Sequence, residues 1–430
     1  NWAETGALML RRTALHILTF GAVWILSLVF AISAGAEIGI DRGFSGRVNI
    51  ESRWFPQAGA FSVQGAHAIG FFVEPKLYLA DAKGRSLTLS PFFRYDNADS
   101  RRTHADLREA YFLIFGEIGD GEWELRVGID QVFWGVTESQ HLVDIVNQID
   151  LVEHPNGETK LGQPMVNITW SSDWGVVEFF VLPYHRVRTF PGQSGRLRLP
   201  LVVEDEQVEY ESEGGEWHLD FAARYSQSFG VVDVGLSVFN GTSREPFLMP
   251  GSDRSGAPVL VQHYDQIRQF GLDAQLTVGS WLFKLEAIQR AGARNLLGIK
   301  EDYVASVFGG EYAFYSVFGS AVDVSLLGEW NYDGRGRNAT PSRSPNTLEN
   351  DFFFATRLAF NDVQSTEIVA SILGDVDRAT RALSMELDRR ISDLLSLNLE
   401  AIHLLSIDKV DIHYDTRRDS FIDLRLIYHF

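Results

Sequence analysis

Arg47, Arg53, Arg94, Arg108 and Arg126 fall in the first third of this 430-residue chain, whereas Asp233, Asp273, Glu286, Glu311, Asp323 and Glu329 lie beyond its midpoint. Each sits in a stretch where polar and apolar residues alternate, so each belongs to a polar face. Brought opposite one another, the two sets form a basic and an acidic wall. The field between such walls orients ions and dipoles and does not make or break bonds. A third set, Asp144, Asp150 and Glu153, followed by Glu158, occupies the long polar connection 133–162. Its expected place is between the walls, with Asp144 and Asp150 facing Arg94, Arg108 and Arg126.

Other chemistries are poorly served. The absence of cysteine excludes disulfides, thiolate zinc sites, Fe–S clusters and a thiol nucleophile. No Gly-x-Ser-x-Gly occurs, and His403, on an apolar face, lacks an evident Ser and carboxylate to complete a hydrolytic triad. His141, His154, His185 and His263 have no paired metal-ligand spacing, and the carboxylates near Asp144 and Asp333 do not follow an EF-hand register. The expectation is therefore a protein that is not an enzyme and carries no metal or cofactor. Asp and Glu (57) outnumber Lys and Arg (38), giving a formal charge of -19, which argues against nucleic acid as a partner.

The elements that would hold the charged residues have a period of two. In Trp217-His218-Leu219-Asp220-Phe221 and onward to Tyr225, Trp217, Leu219, Phe221 and Tyr225 share one face, while His218, Asp220 and Arg224 share the other. The alternation recurs around Val232–Leu236, Phe270–Leu276, Val322–Trp330 and Leu395–Leu399. A soluble β-sandwich also alternates, but its strands average about 5–6 residues. Here they approach ten, the length that crosses a bilayer as a tilted β-strand. Averaging the two faces explains a mean hydropathy of only -0.06. Aromatic residues make up 12% of the chain, and Trp54, Tyr95, Trp123, Trp170, Tyr225, Trp281, Tyr312, Trp330, Tyr332 and Tyr428 fall near strand ends on the apolar face, where membrane-interface girdles belong.

Eighteen strands are expected, near 45–54, 70–80, 86–95, 104–115, 122–132, 163–171, 174–184, 216–226, 231–240, 264–278, 281–290, 304–315, 321–332, 351–360, 365–373, 379–389, 394–404 and 420–430; a count of sixteen stays open. Connections after even-numbered strands are short and the longest ones, 133–162, 185–215, 241–263 and 333–350, follow odd-numbered strands. The fold class this implies is all-β, a transmembrane antiparallel up-and-down barrel with short periplasmic turns and long outer loops.

The chain closes on Leu424-Arg425-Leu426-Ile427-Tyr428-His429-Phe430, apolar on one face and ending in Phe. In this it resembles the outer-membrane β-barrel proteins of Gram-negative bacteria, in which such a last strand, here Tyr428 and Phe430, implies an assembly signal read by the barrel-assembly machinery; Arg425 stands where that signal often has Gly. At the other end, Arg11 and Arg12, the apolar run Ile17–Ile32 and Ser33-Ala34-Gly35-Ala36 read as a secretory signal peptide over 9–36. Residues 1–8 then read as upstream translation, and 37–430 as one barrel domain. The segment from Glu124 to Trp134-Gly135, leading into a loop rich in Asp and Asn, resembles the strand-and-loop pattern of porin-like channels of the alginate-export kind.

A barrel of about 18 strands is wide enough to enclose water. The expected function is a porin-like channel in the bacterial outer membrane for passive diffusion of small hydrophilic or anionic solutes. Lipid and lipopolysaccharide are the expected surroundings, and oligomeric state is left open. A polysaccharide or polyanion channel guided by the arginines, and a non-channel barrel acting as adhesin, receptor or scaffold, are the alternatives.

Overall fold

The computed structural model describes residues 40–335, 344–346 and 348–430. The proposed upstream and signal segments, 1–36, lie outside the described residues.

Eighteen strands form one closed antiparallel barrel: β1 (Asp41–Trp54), β2 (His67–Ala80), β3 (Ser86–Asp96), β4 (His104–Ile118), β5 (Gly121–Asp130), β6 (Gln163–Ser172), β7 (Gly175–Leu182), β9 (Asp220–Phe229), β10 (Val232–Thr242), β13 (Gln266–Val278), β14 (Trp281–Arg294), β15 (Lys300–Phe314), β16 (Asp323–Asp333), β17 (Asn350–Ala359), β18 (Glu367–Asp375), β19 (Arg381–Ser392), β20 (Leu395–Ser406) and β21 (Phe421–His429). Each pairs with its barrel neighbours in sequence, and β21 pairs with β1 from Arg47 opposite His429 to Trp54 opposite Ile422. The expected eighteen strands are all present, and the option of sixteen is excluded.

Three further strands were not anticipated. β8 (Val203–Tyr210), β11 (Phe247–Ser252) and β12 (Pro258–Tyr264) form a separate sheet, with β12 antiparallel to β11 and parallel to β8. They occupy the connections expected as loops at 185–215 and 241–263. Val203-Glu-Asp-Glu-Gln-Val-Glu-Tyr is acidic on both faces, and β11 contains Pro250 and Gly251, so neither shows a membrane strand's alternation.

Alternation in the barrel strands has the expected sense. Ile69, Phe71, Phe112, Phe179, Phe308 and Phe354 are solvent-accessible on the outside, while Asn49, Glu51, Arg53, Arg94, Asp273 and Glu286 are buried within. Outward aromatics cluster at the two ends. At the inner end Trp174 lies between Trp170 and Tyr225, and Trp281 packs edge-on against Tyr312 at 4.7 Å. At the outer end Phe71 meets Tyr95 and Trp330 meets Tyr332.

The seam between first and last strands depends on Gly46. Its amide donates to the Phe430 carbonyl at 2.9 Å, and the Phe430 amide donates back at 3.1 Å. A Cβ on Gly46 would lie 2.6 Å from Phe430 Cζ and 2.7 Å from the Glu74 carbonyl, so no side chain fits there. Arg425 points inward, 2.9 Å from both Glu400 and Asp423, which accounts for a charged residue in the last strand. We expect Gly46→Leu to prevent closure, read as loss of the heat-modifiable folded band on electrophoresis, whereas the outward Phe308→Leu retains it.

Candidate functional site: a loop folded across the lumen

The connection between β5 and β6, residues 131–162, turns into the barrel and packs on one half of its interior. Trp134, Val143, Ile145 and Val146 from the loop form an apolar core with Met165, Phe180, Leu182, Ala222, Phe239, Ile267, Ile288 and Ala305, which come from β6, β7, β9, β10, β13, β14 and β15. Burying these side chains stabilises the infolded position by about 1.5–3 kcal/mol for each large aliphatic or aromatic residue.

Two carboxylates of the acidic wall fix the loop backbone. Glu286 accepts hydrogen bonds from the amides of Val136 (2.8 Å), Thr137 (3.1 Å) and Val143 (3.2 Å) and from the Thr137 hydroxyl (2.7 Å). Glu329 accepts from the amides of Glu138 (2.9 Å) and Ser139 (2.8 Å) and from the Ser139 hydroxyl (2.6 Å). A buried carboxylate is costly unless several donors surround it, and these turns supply them. Gly135 permits the close approach: its φ is +139°, and a Cβ there would fall 2.8 Å from Glu286 Oε1. The Trp134-Gly135 pair thus combines a side chain that fills the core with a backbone that reaches the wall.

The opposite edge of the loop carries its acids to the basic wall. Asp150 Oδ2 is 2.8 Å from Arg108 Nη2, and Glu153 Oε2 is 2.8 Å from Arg94 Nε. Arg94 and Arg108 lie over Phe72 and Phe92, which hold their guanidinium planes. Between β3 and β4 the register slips, so that Ser90 faces Glu109 and Pro91 faces Leu107. Pro91 has no amide to contribute, and the resulting bulge leaves Arg108 unopposed in the ladder and aimed into the lumen. His154 Nε2 reaches Glu400 on β20 at 2.9 Å, so the loop is tied to a third sector of the wall.

The expected opposition holds for Asp150 with Arg108, and Glu153 takes Arg94. Two placements differ. Asp144 pairs with Lys160 of the same loop at 3.1 Å, and Arg126 pairs with Asp130 and Glu124 on its own strand. Arg126 is held by the acids of its own strand, and Asp144 lines a polar cavity with His141 and Lys160, so neither takes part in the bridge. Arg47 pairs with Glu74, and Arg53 with Asp423 and Glu51. In the acidic wall, Asp273 pairs with Arg224, Asp233 accepts from Ser228, and Asp323 is bound by Ser316 and Asn361 at the inner turns. Glu311 is half-buried on β15 and is brought to none of these groups. Nothing in the sequence distinguished Glu286 and Glu329 from these neighbours; their role follows from where the loop lands.

His104, Asp150 and Glu153 offer three ligand-type atoms within 4.8 Å of one another. Arg108 and Arg94 pair with the two carboxylates, while both His104 ring nitrogens and Glu153 Oε1 are buried without a hydrogen-bond partner among the described residues. His403 Nδ1 lies 3.3 Å from Ser420 Oγ, but Ser420 is buried and its hydroxyl accepts from the Leu404 amide.

The infolded loop leaves open the half of the lumen against β1–β3 and β19–β21. A polar cavity of about 570 Å³ remains there, lined by Arg47, Glu74, Glu158, Thr159, Glu386, Asp388 and Asn398 among others. Glu386 and Asp388 both accept from the Asn398 amide, at 2.8 and 3.0 Å, and among the described residues neither has a basic partner in salt-bridge contact.

Two groups on the loop make its docking sensitive to pH. Burial works against a charged His141, but Glu286, 3.8 Å away, and Asp144 outweigh it and raise the imidazole pKa. Burial raises the Asp144 carboxyl, with Lys160 opposing. A group whose folded pKa is raised contributes stability that is lost as pH climbs through that folded value. Both groups therefore loosen the loop as pH rises, Asp144 above the ordinary carboxylate range and His141 above that of an imidazole. Cleavage of the loop by an added protease should accelerate from pH 6 to pH 9, and His141→Gln should flatten the upper part of that rise. Glu286→Gln with Glu329→Gln weakens several hydrogen bonds worth about 1.5–3 kcal/mol each when charge-assisted, so cleavage at neutral pH should rise at least about tenfold.

No curated protein matches the chain significantly. Among solved structures, several engineered variants of the porin of Rhodopseudomonas blastica align with it. One does so at 11% identity and a TM-score of 0.43, covering 91% of this chain and 100% of that one; a triple mutant aligns at 12% identity with the same coverage and TM-score. The profile of a family described as "Protein of unknown function (DUF1302)" matches residues 76–307, more than half of the chain, running from β2 through the infolded loop into β15. The chain belongs to that family.

Proposed function

We propose that this barrel is a bacterial outer-membrane channel through which small hydrophilic solutes pass by passive diffusion, with the infolded loop 131–162 as its constriction. The observation that carries the reading is the asymmetric filling of the lumen. One half is packed with loop side chains, and the other keeps a polar cavity between Arg47, Glu74, Glu386 and Asp388. A barrel meant only as a scaffold gains nothing from a loop that crosses the lumen and stops short of filling it.

The pairing pattern also bears on ion sign. Arg47, Arg53, Arg94, Arg108 and Arg126 each face at least one carboxylate, so the arginine ladder that would favour anions or guide a polyanion is largely neutralised. Glu386 and Asp388 line the passage without a salt-bridge partner among the described residues. Rings of fixed charge set selectivity in pores, and the sign supported here is cationic.

Planar-bilayer recording tests both parts. The intact barrel should conduct, deletion of 140–155 should raise single-channel conductance severalfold, and a KCl gradient should give a reversal potential of cation-selective sign that Glu386→Gln with Asp388→Asn moves toward zero. A barrel that is silent before and after the deletion would favour the scaffold or receptor alternative. Anion selectivity unchanged by the double variant would return the arginine wall to the leading role.

A further inference from the structure

Near the outer rim, the inward face of the last strands changes character. Deeper in the lumen β19, β20 and β21 present Glu386, Asp388, Asn398, Glu400, Asp423 and Arg425; on the same faces toward the rim the same strands present Ala382, Ile402, Leu404 and Phe421. β18 adds Leu373. Water-filled barrels keep such positions polar, so an apolar sector inside the wall needs a reason.

The outer connections complete an enclosure around it. Phe190, Leu197, Leu199 and Leu201 from 183–219, Leu151 and Pro155 from the infolded loop, and Ile407 from 407–420 line the same cavity of about 390 Å³. The position is built, not incidental. Leu197 holds a φ of +58°, unusual for a residue with a side chain, and Asp419 secures it by accepting from the Leu197 amide at 2.7 Å and from Arg196 Nε at 2.7 Å. Leu151, Pro155 and Asn156 face this cavity, while Glu153, His154 and Asn156 face the polar one, so a single stretch of the loop separates the two.

We propose that this outer vestibule is a binding site for a small amphipathic molecule with an alkyl or ring body and a hydrogen-bond-donating or cationic head. A mostly apolar cavity with a few convergent polar groups is the usual form of a small-molecule site. The head preference follows from the polar groups available. Asp351 and Asp375 are register partners on β17 and β18 and line the cavity with Asp411 and His413; Asp375 already meets Arg378 and two loop amides, and Asp411 meets His413 and the Thr380 hydroxyl, so Asp351 is the lining carboxylate without a basic partner among the described residues. The arginines there are tied to backbone carbonyls: Arg198 donates through Nε to Gln193 and through Nη1 to Leu199 and Pro200, and Arg381 through Nη1 to Arg378 and Thr380. Binding does not depend on the channel reading, since a barrel that conducts nothing would hold the same ligand.

The test uses the full barrel in lipid nanodiscs with diazirine-bearing dodecylamine as the photoprobe, peptide mapping by mass spectrometry, and folding verified by heat-modifiable mobility. Labelling is expected within 190–203 and 402–421, displaced saturably by dodecylamine, at least fivefold less well by dodecanoate, and not by maltose. Ala382→Trp, which fills the cavity while keeping it apolar, and Leu199→Asn with Leu404→Asn should each cut this labelling at least fivefold in folded protein. Labelling confined to lipid-facing strand positions, failure of competition, or labelling indifferent to both variants would overturn the proposal. Equal displacement by dodecanoate would overturn the assigned head group.

Discussion

Hydrocarbon offers no hydrogen-bond partner, so every amide and carbonyl of a strand in lipid must be met by a neighbouring strand. That constraint accounts for the closure of β21 on β1, for the reciprocal bonds between Gly46 and Phe430, and for the absence of a side chain at Gly46. It also fixes the alternation of faces, because a strand buried between lipid and lumen has one apolar and one polar surface throughout its length. Everything distinctive about the interior is built on a wall whose own geometry leaves little freedom.

Within that wall the infolded loop behaves as a second, smaller folding problem. Its position is set by three kinds of contact at once: an apolar core against β6 to β15, backbone amides around Glu286 and Glu329, and acids against Arg94 and Arg108. The two charged walls therefore act first on the loop itself. The carboxylates take its donors and the arginines take its acceptors, so the loop's own polarity matches the field it sits in. What remains open is the other half of the lumen, where Glu386 and Asp388 have no salt-bridge partner among the described residues.

The parts of the fold legible in the sequence are those under the lipid constraint. Strand number, connection parity and the aromatic ends could be read because the bilayer writes the same pattern on each strand, as in β9 and β13. β8, β11 and β12 form a sheet apart from the barrel wall and carry no such pattern. For the interior, residue type was legible and partnership was not. Asp150 and Arg108 could be matched by sign, but Asp144 and Arg126 found partners closer at hand, and Glu286 and Glu329 looked like any other inward acids. The apolar rim of β18 to β21 was hidden for a related reason: alternation places Ile402 and Leu404 on the inward face, but nothing in the sequence shows that Phe190, Leu197, Leu199 and Ile407 from the outer connections come to cover them.

The central claim is that a solute passing the barrel must pass beside the loop. Because the chain has no cysteine, Thr159→Cys places a single thiol on the loop where it borders the polar cavity. Recording current through that variant during reaction with a charged, membrane-impermeant methanethiosulfonate is the most direct measurement. The account predicts a stepwise fall in conductance that follows the extent of labelling. Full labelling with an unchanged current would contradict it, and would place the conducting path, if there is one, elsewhere.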